Sequence, residues 1–512
     1  MEVKEFHDVV SLEEAKRRLE KHCKVRPKAE EISLTEAAGR VVFRDVIAQI
    51  DVPPFDRASM DGYAVKAKDT FYADEDKPAS LRLKGYIQAG QDKKLTINEG
   101  DAVGIATGAP MPKGANAVVM VEYTEEKKNT VNIHRPVVPG ENIMAAGSDI
   151  MRGETTIRAG TALSPRETGV LAALGVTKIE VFKRPTVGII STGDEIVEPG
   201  KALKFGRIYD VNAQAIADAV RENGGSPEVL GIVKDDLNAL SKRLKEMMKY
   251  DIIVTSGGTS AGVGDMLYRI IDKLGKPGII VHGIAVKPGK PTIIGVVKKR
   301  PIFGLPGYPT SAMVTFDVLV APLLRRLSGM RDEAKKQIKA RAAMRLFSAE
   351  GRYEYMLMNL VLGTKSEYSA YPILTGSGAI TTLAEADGYL EVPENTAIID
   401  GGKEIDVTLL SDVIKPADLT IIGSHCIGVD VLLNVMDRPL QAKIINVGSS
   451  GGLAAARRGE SDVSGTHLID EKTGVYNVPF LKRLDIANKV YLVRGYDREQ
   501  GFVTAKDNPK DI

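Results

Sequence analysis

Apolar positions along this chain recur with two different periods, and the changes of period mark where its parts begin. Ser11-Leu-Glu-Glu14 opens a helical pattern that runs to near Cys23, and a Ser followed by Glu three positions on is a capping box. Ser164-Pro-Arg-Glu167 opens a second helix up to about Leu174 in the same way. The two predict a helical N-terminal part, 1–44 with 146–183, interrupted by an insertion. Between them, Gly and Pro cut Lys77 to Gly160 into short apolar runs such as DAVGIATG and ANAVVMVEY. Those runs predict a β-rich inserted domain over 45–145.

From Arg184 the rhythm is strand and helix in turn. TVGIIST, a helix over Asn212 to Glu222, PEVLGIV, a helix over Asp236 to Lys249, DIIVTS and a helix over Asp265 to Leu274 follow one another. Such alternation predicts βαβ units and a parallel, Rossmann-like sheet over 184–329. Met313, Phe316, Leu319 and Leu323 fall on one face of a helix that starts near Pro309, and core packing explains them better than cofactor contact; the same holds for Tyr63. Residues 330–412 read as short strands of a small β-barrel-like domain. From Ala417 to the end a second α/β lobe begins, with LTIIGSHC, a helix near Val429 to Met436, AKIINVG and a helix opening at Ser449. The fold class is thus α/β, in several domains.

Length and composition agree with that picture. At 512 residues the chain holds roughly three to five domains. Lys plus Arg number 69 against 67 Asp plus Glu, so a net charge of +2 recommends no nucleic acid as partner. The run Lys298-Lys-Arg300 is expected at a solvated hairpin tip. Cys23 and Cys426 fall in different domains, which leaves no disulfide framework and suits a reducing, cytoplasmic setting. No apolar stretch approaches the ~20 residues of a membrane span, and the start lacks a signal-peptide pattern. The six histidines show no metal-binding spacing. Any metal here would therefore sit on oxygen ligands, and Mg2+ is the natural candidate.

Chemistry concentrates between Asp251 and Met313. DIIVTSGGTSAGVGD, VKPGKPTIIG and FGLPGYPTSAM are three Gly/Pro-rich loops, each after a β-branched run, with an Asp, two Lys and Ser/Thr hydroxyls. Glycines let successive backbone N–H groups converge on one anion, and lysines add charge. Loops of this kind at the carboxyl ends of parallel strands hold oxyanions. Thr192-Gly-Asp-Glu195 and Asp235 lie at two further strand ends. Neither GxGxxG nor GxxxxGK[ST] is present, so dinucleotide and P-loop fingerprints are excluded.

The chain resembles the molybdopterin molybdenumtransferase family, the MoeA type that includes the C-terminal domain of gephyrin. The likeness runs over about residues 1 to 410. It rests on Pro53-Pro-Phe-Asp-Arg-Ala-Ser-Met-Asp-Gly-Tyr-Ala64, Ala106-Thr-Gly-Ala-Pro110, Ser191-Thr-Gly-Asp-Glu195, Ser256-Gly-Gly258, Gly262 and Asp265, Lys287-Pro-Gly-Lys-Pro291, and Leu305-Pro-Gly307 with Pro309 and Ser311. The resemblance implies that 184–329 is a molybdopterin-binding domain. It implies insertion of molybdate or tungstate into adenylylated molybdopterin, with release of AMP. Lys287, Lys290, Ser311, Arg352 and Ser377 would then receive the oxyanion. Asp235, Asp265 and Glu195 would handle Mg2+ and the phosphoanhydride, with Asp61 and Thr107 near the site. Thr192, Gly193, Ser256, Gly257, Gly258, Pro306, Gly307 and Pro309 would line the nucleotide and pterin phosphate. A homodimer is implied, with molybdopterin adenylyltransferase and recipient molybdoenzymes as protein partners.

Several alternatives stay open at this stage. Asp265 suits a helix N-cap as well as a catalytic place, Asp235 could cap the next helix, and Glu195 could be a solvated turn residue. Tyr308 stands where the family commonly has Asn, and Val263 and Gly264 replace a more polar pair, which keeps tungstate open. A molybdopterin adenylyltransferase, or a non-catalytic scaffold or oxyanion sensor, remain rival functions. Residues 417–512 resemble part of a periplasmic-binding-protein-like domain through Gly423-Ser-His425, Val447-Gly-Ser-Ser-Gly-Gly-Leu453, Gly465-Thr-His-Leu-Ile-Asp470 and Tyr476-Asn477. Such domains hold ligand between two lobes, so this single lobe is expected to capture ligand weakly or not at all.

Overall fold

A computed structural model describes residues 9–259, 264–332, 335–374, 376, 378–411, 414, 417–438, 440–495 and 506–507, the side chains of 264 and 265 excepted. The chain divides into two compact units. One is Arg26–Arg184 with Arg325–Arg331; the other is Met1–Val25, Pro185–Leu324 and Asp332–Ile512.

Helix α1, Leu12–His22, is capped by Ser11, whose hydroxyl accepts the Glu14 N–H at 3.2 Å. It buries Leu12, Ala15 and Leu19 in the larger unit. Helix α2, Pro165–Ala173, carries the full capping box, with the Ser164 N–H donating to Glu167 at 2.8 Å, and belongs to the smaller unit. Both helices form where their caps predicted. They do not share one helical body, because the segments next to α2 pair as strands instead, Ala29–Ser33 against Lys178–Phe182.

The smaller unit centres on a six-stranded sheet in the order Ala117–Met120, Gly62–Val65, Asp101–Ile105, Ala79–Ile87, Thr130–Ile133, Thr124–Lys127. Alternate residues of its strands feed two cores. Tyr63, Val65, Ala102 and Val119 pack on one side, and Ala64, Val103, Ile105 and Val118 on the other. Burial on both faces explains why these strands read as unbroken apolar runs. Tyr63 is a core residue, as expected, with its hydroxyl donating to Glu126 at 2.6 Å.

The larger unit holds the alternating part. Its elements are β1 Thr186–Thr192, α3 Asn212–Glu222, β2 Ser226–Val233, α4 Leu237–Met247, β3 Ile252–Ser256, α5 Gly264–Leu274, β4 Pro277–His282, β5 Ile293–Val297 and β6 Arg300–Leu305. The sheet order is β2-β1-β3-β6-β5-β4. β2, β1, β3 and β6 run parallel. β5 is antiparallel to both β6 and β4, so the sheet is mixed rather than wholly parallel. The reason is local: Lys298 and Lys299 take φ of 48° and 70°, a turn that joins β5 directly to β6 as a hairpin. α4 and α5 cover one face through Leu240, Leu244, Met247, Leu267, Ile270 and Ile271, packed on Ile190, Ile253, Ile293 and Ile302. α3 contacts β1 and β2 without entering that cluster and takes the other face.

After β6, helix α6 Pro309–Thr315 continues through a π turn, Phe316–Val320, into α7 Ala321–Leu327. Phe316, Leu319 and Leu323 are buried, in line with core packing, while Met313 is half-buried. The small β domain is a closed barrel of β7 Gln337–Ala342, β8 Tyr353–Leu362, β9 Tyr368–Pro372, β10 Gly388–Val392 and β11 Glu404–Leu409, with a short helix, α8 Thr381–Glu385, before β10. Its order β8-β9-β7-β11-β10 is closed by pairing of β8 with β10. The last lobe sets β12 Leu419–Gly423 parallel to β13 Ala442–Asn446, with helices α9 Ile427–Asn434 and α10 Gly448–Arg458. It docks on the barrel through Ile422, Ile445 and Ala455 against Val361 and Tyr371. Among the described residues no helix is long and apolar enough to cross a membrane.

Leu244 is fully buried between α4 and the sheet. Replacing it by Ala removes apolar contacts and leaves a cavity, at a cost of about 2–5 kcal/mol. In urea unfolding Leu244→Ala is expected to lower the midpoint of the α/β unit, with Lys245→Ala on the exposed face close to wild type; equal midpoints would disprove the packing.

Candidate active site

Four neighbouring parallel strands end side by side, and each delivers one of the loops singled out from the sequence. Thr192–Glu195 follow β1, Asp235 lies just beyond β2, Ser256–Gly258 close β3, and Pro306–Gly307 follow β6. β1 stands between β2 and β3, so the chain order reverses there, and a crevice opens beyond the carboxyl ends at such a point.

The loops are pressed together. Gly257 has φ 86°, and a Cβ there would lie 2.4 Å from the Thr192 carbonyl oxygen, so only glycine fits. Its N–H donates to the Leu305 carbonyl at 3.1 Å. Buried Asn212, at the start of α3, donates from Nδ2 to Ser256 Oγ at 2.8 Å and to the Gly307 carbonyl at 2.7 Å. This side chain ties two loops and was missed from the sequence. The signal available was a polar residue opening a helix beside the predicted strand ends.

Polar atoms inside this crevice lack protein partners. Ser191 Oγ, Thr192 Oγ1, Thr255 Oγ1 and Asp235 Oδ1 are buried without a hydrogen bond among the described residues. Buried polar atoms are paired in nearly all folded proteins, so a group of orphans at strand ends points to a ligand. Burial, together with the neighbouring carboxylates Asp194 and Glu195, raises the Asp235 pKa, against the opposing pull of the Asp194 N–H. The cap of α4 is supplied by Asp236, whose carboxylate accepts the Ala239 N–H at 2.8 Å. Asp235 is therefore released from the capping role that the sequence left open. Asp265 sits in the first turn of α5, but its side chain, like Val263 and Ser377, lies outside the described residues.

Mg2+ is commonly held by one or two carboxylates plus substrate phosphates. No group of three His, Cys, Asp or Glu placed to hold a metal occurs among the described residues. The orphaned Asp235 oxygen beside Glu195 fits the smaller set.

The remaining candidates sit on the flank toward the barrel. β4 points the same way as β6, which brings the Lys287–Lys290 loop to the same end of the sheet. Gly289 abuts α6 so closely that a Cβ would lie 2.6 Å from Thr315 Oγ1. Val286–Lys287 pair in parallel with Tyr353–Glu354 at the start of β8, next to exposed Arg352. Lys287 Nζ lies 2.8 Å from Glu354 Oε1, a contact the sequence did not suggest. Glu354 is buried and also accepts Ser348 Oγ at 2.7 Å, so the lysine is held while half its side chain stays exposed. Ser311 is buried in α6 behind Pro309. Exposed Tyr308, just before α6, faces Gly378 of the barrel, where a Cβ would stand 3.4 Å from its ring. Lys290 is half-buried in its loop.

In the smaller unit Asp61 and Thr107 meet directly. The Thr107 N–H and hydroxyl both donate to Asp61 Oδ1, at 2.7 and 2.9 Å, and hold its pKa below the usual carboxylate value.

Comparison with known proteins agrees along the chain. Residues 10–175 match the MoeA N-terminal region (domain I and II), 188–326 the probable molybdopterin binding domain, 339–410 the MoeA C-terminal region (domain IV), and 432–512 the PBP superfamily domain. A putative molybdopterin biosynthesis protein of Methanocaldococcus jannaschii is 35% identical over 393 residues, 75% of this chain and 92% of its own length. Molybdopterin molybdenumtransferase 2 of Mycobacterium tuberculosis is 34% identical over 383 residues, 73% of this chain and 94% of its own. A solved molybdopterin biosynthesis MoeA protein of Pyrococcus horikoshii superposes with TM-score 0.70 at 41% identity, covering 79% of this chain and all of that one.

A carboxylate whose folded pKa is raised favours the protonated folded state, so its contribution to stability falls as pH rises from the unfolded value of about 4 through the folded one. Asp235→Asn removes that penalty. In chelator-containing buffer the variant is expected to melt above wild type at pH 7, with the gap closing toward pH 4. Identical melting temperatures at pH 7 would show that the site carries no charge strain.

Proposed function

The chain belongs to the molybdopterin molybdenumtransferase family, and from that premise we propose that it inserts molybdenum from molybdate into adenylylated molybdopterin and releases AMP. The observation that carries this reading is the row of strand-end loops with hydroxyls, and an oxygen of buried Asp235, unpartnered among the described residues. They suit the phosphates of a bound nucleotide.

In this reading the backbone of Gly193, Gly257, Gly258 and Pro306–Gly307 accommodates the nucleotide and pterin phosphates closely. Thr192 and Ser256 face them with hydroxyls, and Pro309 stiffens the entry to α6. Asn212 keeps the two loops at a fixed separation. Asp235, Glu195 and Asp265 would hold Mg2+, which when bound supplies neutralisation of phosphate charge. Thr192 Oγ1 and Asp235 Oδ1, which have no partner among the described residues, are placed to accept one from the ligand or its metal. Lys287, Lys290, Arg352, Ser311 and Ser377 receive the dianionic oxyanion. Glu354 orients the Lys287 ammonium and leaves its remaining donors for ligand. Asp61, kept ionised by Thr107, is assigned to the reaction from the family pattern. The enzyme is read as a cytoplasmic homodimer that acts between an adenylyltransferase and the recipient molybdoenzymes.

AMP release from adenylylated molybdopterin that requires molybdate is the direct test, whereas pterin adenylylation from ATP would establish the rival activity. Asp265→Asn is expected to lower kcat by about two to three orders of magnitude, the loss on removing one preorganised charge-stabilising group. Full activity in that variant would remove Asp265 from the site. Tyr308 shapes the entry to the oxyanion face, and tungstate is proposed as a second substrate. Tyr308→Asn should therefore shift the molybdate to tungstate ratio of kcat/KM by about three- to tenfold, the size of a ~1 kcal/mol change in one contact; an unchanged ratio would exclude the residue from oxyanion selection.

A further inference from the structure

Among the described residues the lobe from β12 onward meets the barrel through several polar contacts, including a Thr364 N–H to Gly459 carbonyl bond at 3.1 Å, and the two that involve charged side chains differ in consequence. Asp387, between α8 and β10, is almost wholly buried, with 4% of its side chain exposed. Its Oδ2 accepts the Leu360 N–H of β8 at 2.7 Å and Lys443 Nζ of β13 at 2.6 Å. Lys443 is itself 13% exposed and donates also to the Leu360 carbonyl at 2.8 Å. The second contact joins Glu460 to Arg458, at 2.7 Å, and to the hydroxyls of Ser369 and Tyr371. It anchors the lobe to β9.

The Asp387 contact reaches further. Asp387 closes the segment 378–386, whose other end lies against α6. There the Thr310 hydroxyl donates to the Ala379 carbonyl at 3.3 Å, and Gly378 sits under the Tyr308 ring. Thr310 adjoins Ser311 in α6, and Tyr308 lies just before that helix. One short segment is thus pinned at one end by the oxyanion face and at the other by an ion pair whose cation comes from the added lobe.

We propose that Lys443 is a positioning residue for the transferase site, and that through Asp387 it fixes segment 378–386 against Tyr308 and Thr310 and so sets oxyanion affinity. Losing one partner of a buried pair leaves the other charge uncompensated, and the segment must shift to hydrate it. Among the described residues Glu460 has no such link to the segment. The inference rests on the oxyanion role assigned above to the face around Ser311.

The test uses the full chain with Lys443→Met, Lys443→Arg and Glu460→Gln, each assayed for AMP release over molybdate and pterin concentrations. Lys443→Met is expected to raise the KM for molybdate about tenfold, within the range of coupling through packed networks, with kcat and the pterin KM little changed. Lys443→Arg should recover most of the loss, and Glu460→Gln should leave the molybdate KM at the wild-type value. A parallel rise in both KM values, an unchanged molybdate KM, or an equal effect of Glu460→Gln overturns the proposal. Hydrogen exchange over 378–386 decides the tether independently of turnover. Faster exchange in Lys443→Met than in Glu460→Gln supports it, and equal rates reject it. Wild-type protein that releases no AMP would instead sink the functional reading, with the exchange result still standing.

Discussion

Four parallel strands ending at one edge concentrate unmet hydrogen-bonding capacity there, and the larger unit is organised around that fact. Each buried orphan costs on the order of 1–3 kcal/mol, yet Ser191, Thr192, Thr255 and Asp235 carry such atoms within a few residues of the β1, β2 and β3 ends. Packing of α4 and α5 on Ile190, Ile253, Ile293 and Ile302 supplies the apolar burial that allows the edge to remain unsatisfied. Stability and reactivity are therefore separated along the strands: apolar in their middles, polar and unpaired at their carboxyl ends.

Close approach of backbones is what converts these strand ends into one surface. Gly257 lies against Thr192, Gly307 lies near Gly257, and Gly289 lies against Thr315. Any side chain at Gly257 or Gly289 would force the loops apart. Asn212 adds a fixed distance between the Ser256 and Gly307 loops, because one amide nitrogen donates to both. In the smaller unit two donors from Thr107 converge on one oxygen of Asp61 and lower its pKa.

How much of this was legible follows from range. Caps and periods act within one or two helical turns, so Ser11, Ser164, the α3 limits and the buried stripe of α6 and α7 could be read directly. The Gly-rich loops were legible for the same reason. Direction of pairing is not local: β5 looks like any buried strand, and only the Lys298–Lys299 turn betrays the hairpin that reverses it. Pairings such as Lys287 with Glu354, or Asn212 with two loops, join residues far apart in the chain and leave no periodic trace. Asp235 was ambiguous because it precedes another aspartate; the geometry gives the cap to Asp236.

The docking of the last lobe follows a different logic from the strand-end site. Apolar contact alone, through Ile422 and Ile445 on Val361 and Tyr371, would tolerate sliding of one surface on the other. Buried charges do not tolerate it, since an ion pair loses its compensation when either partner moves by a few ångströms. At Glu460 desolvation opposes ionisation, but Arg458 and the Ser369 and Tyr371 hydroxyls more than offset it and hold the carboxyl below its usual pKa. The lobe is thus registered on the barrel at two charged points, one on β9 and one beside β10. Asp387 of the barrel thus takes its cation from β13, so barrel and lobe are joined by charge as well as by apolar contact.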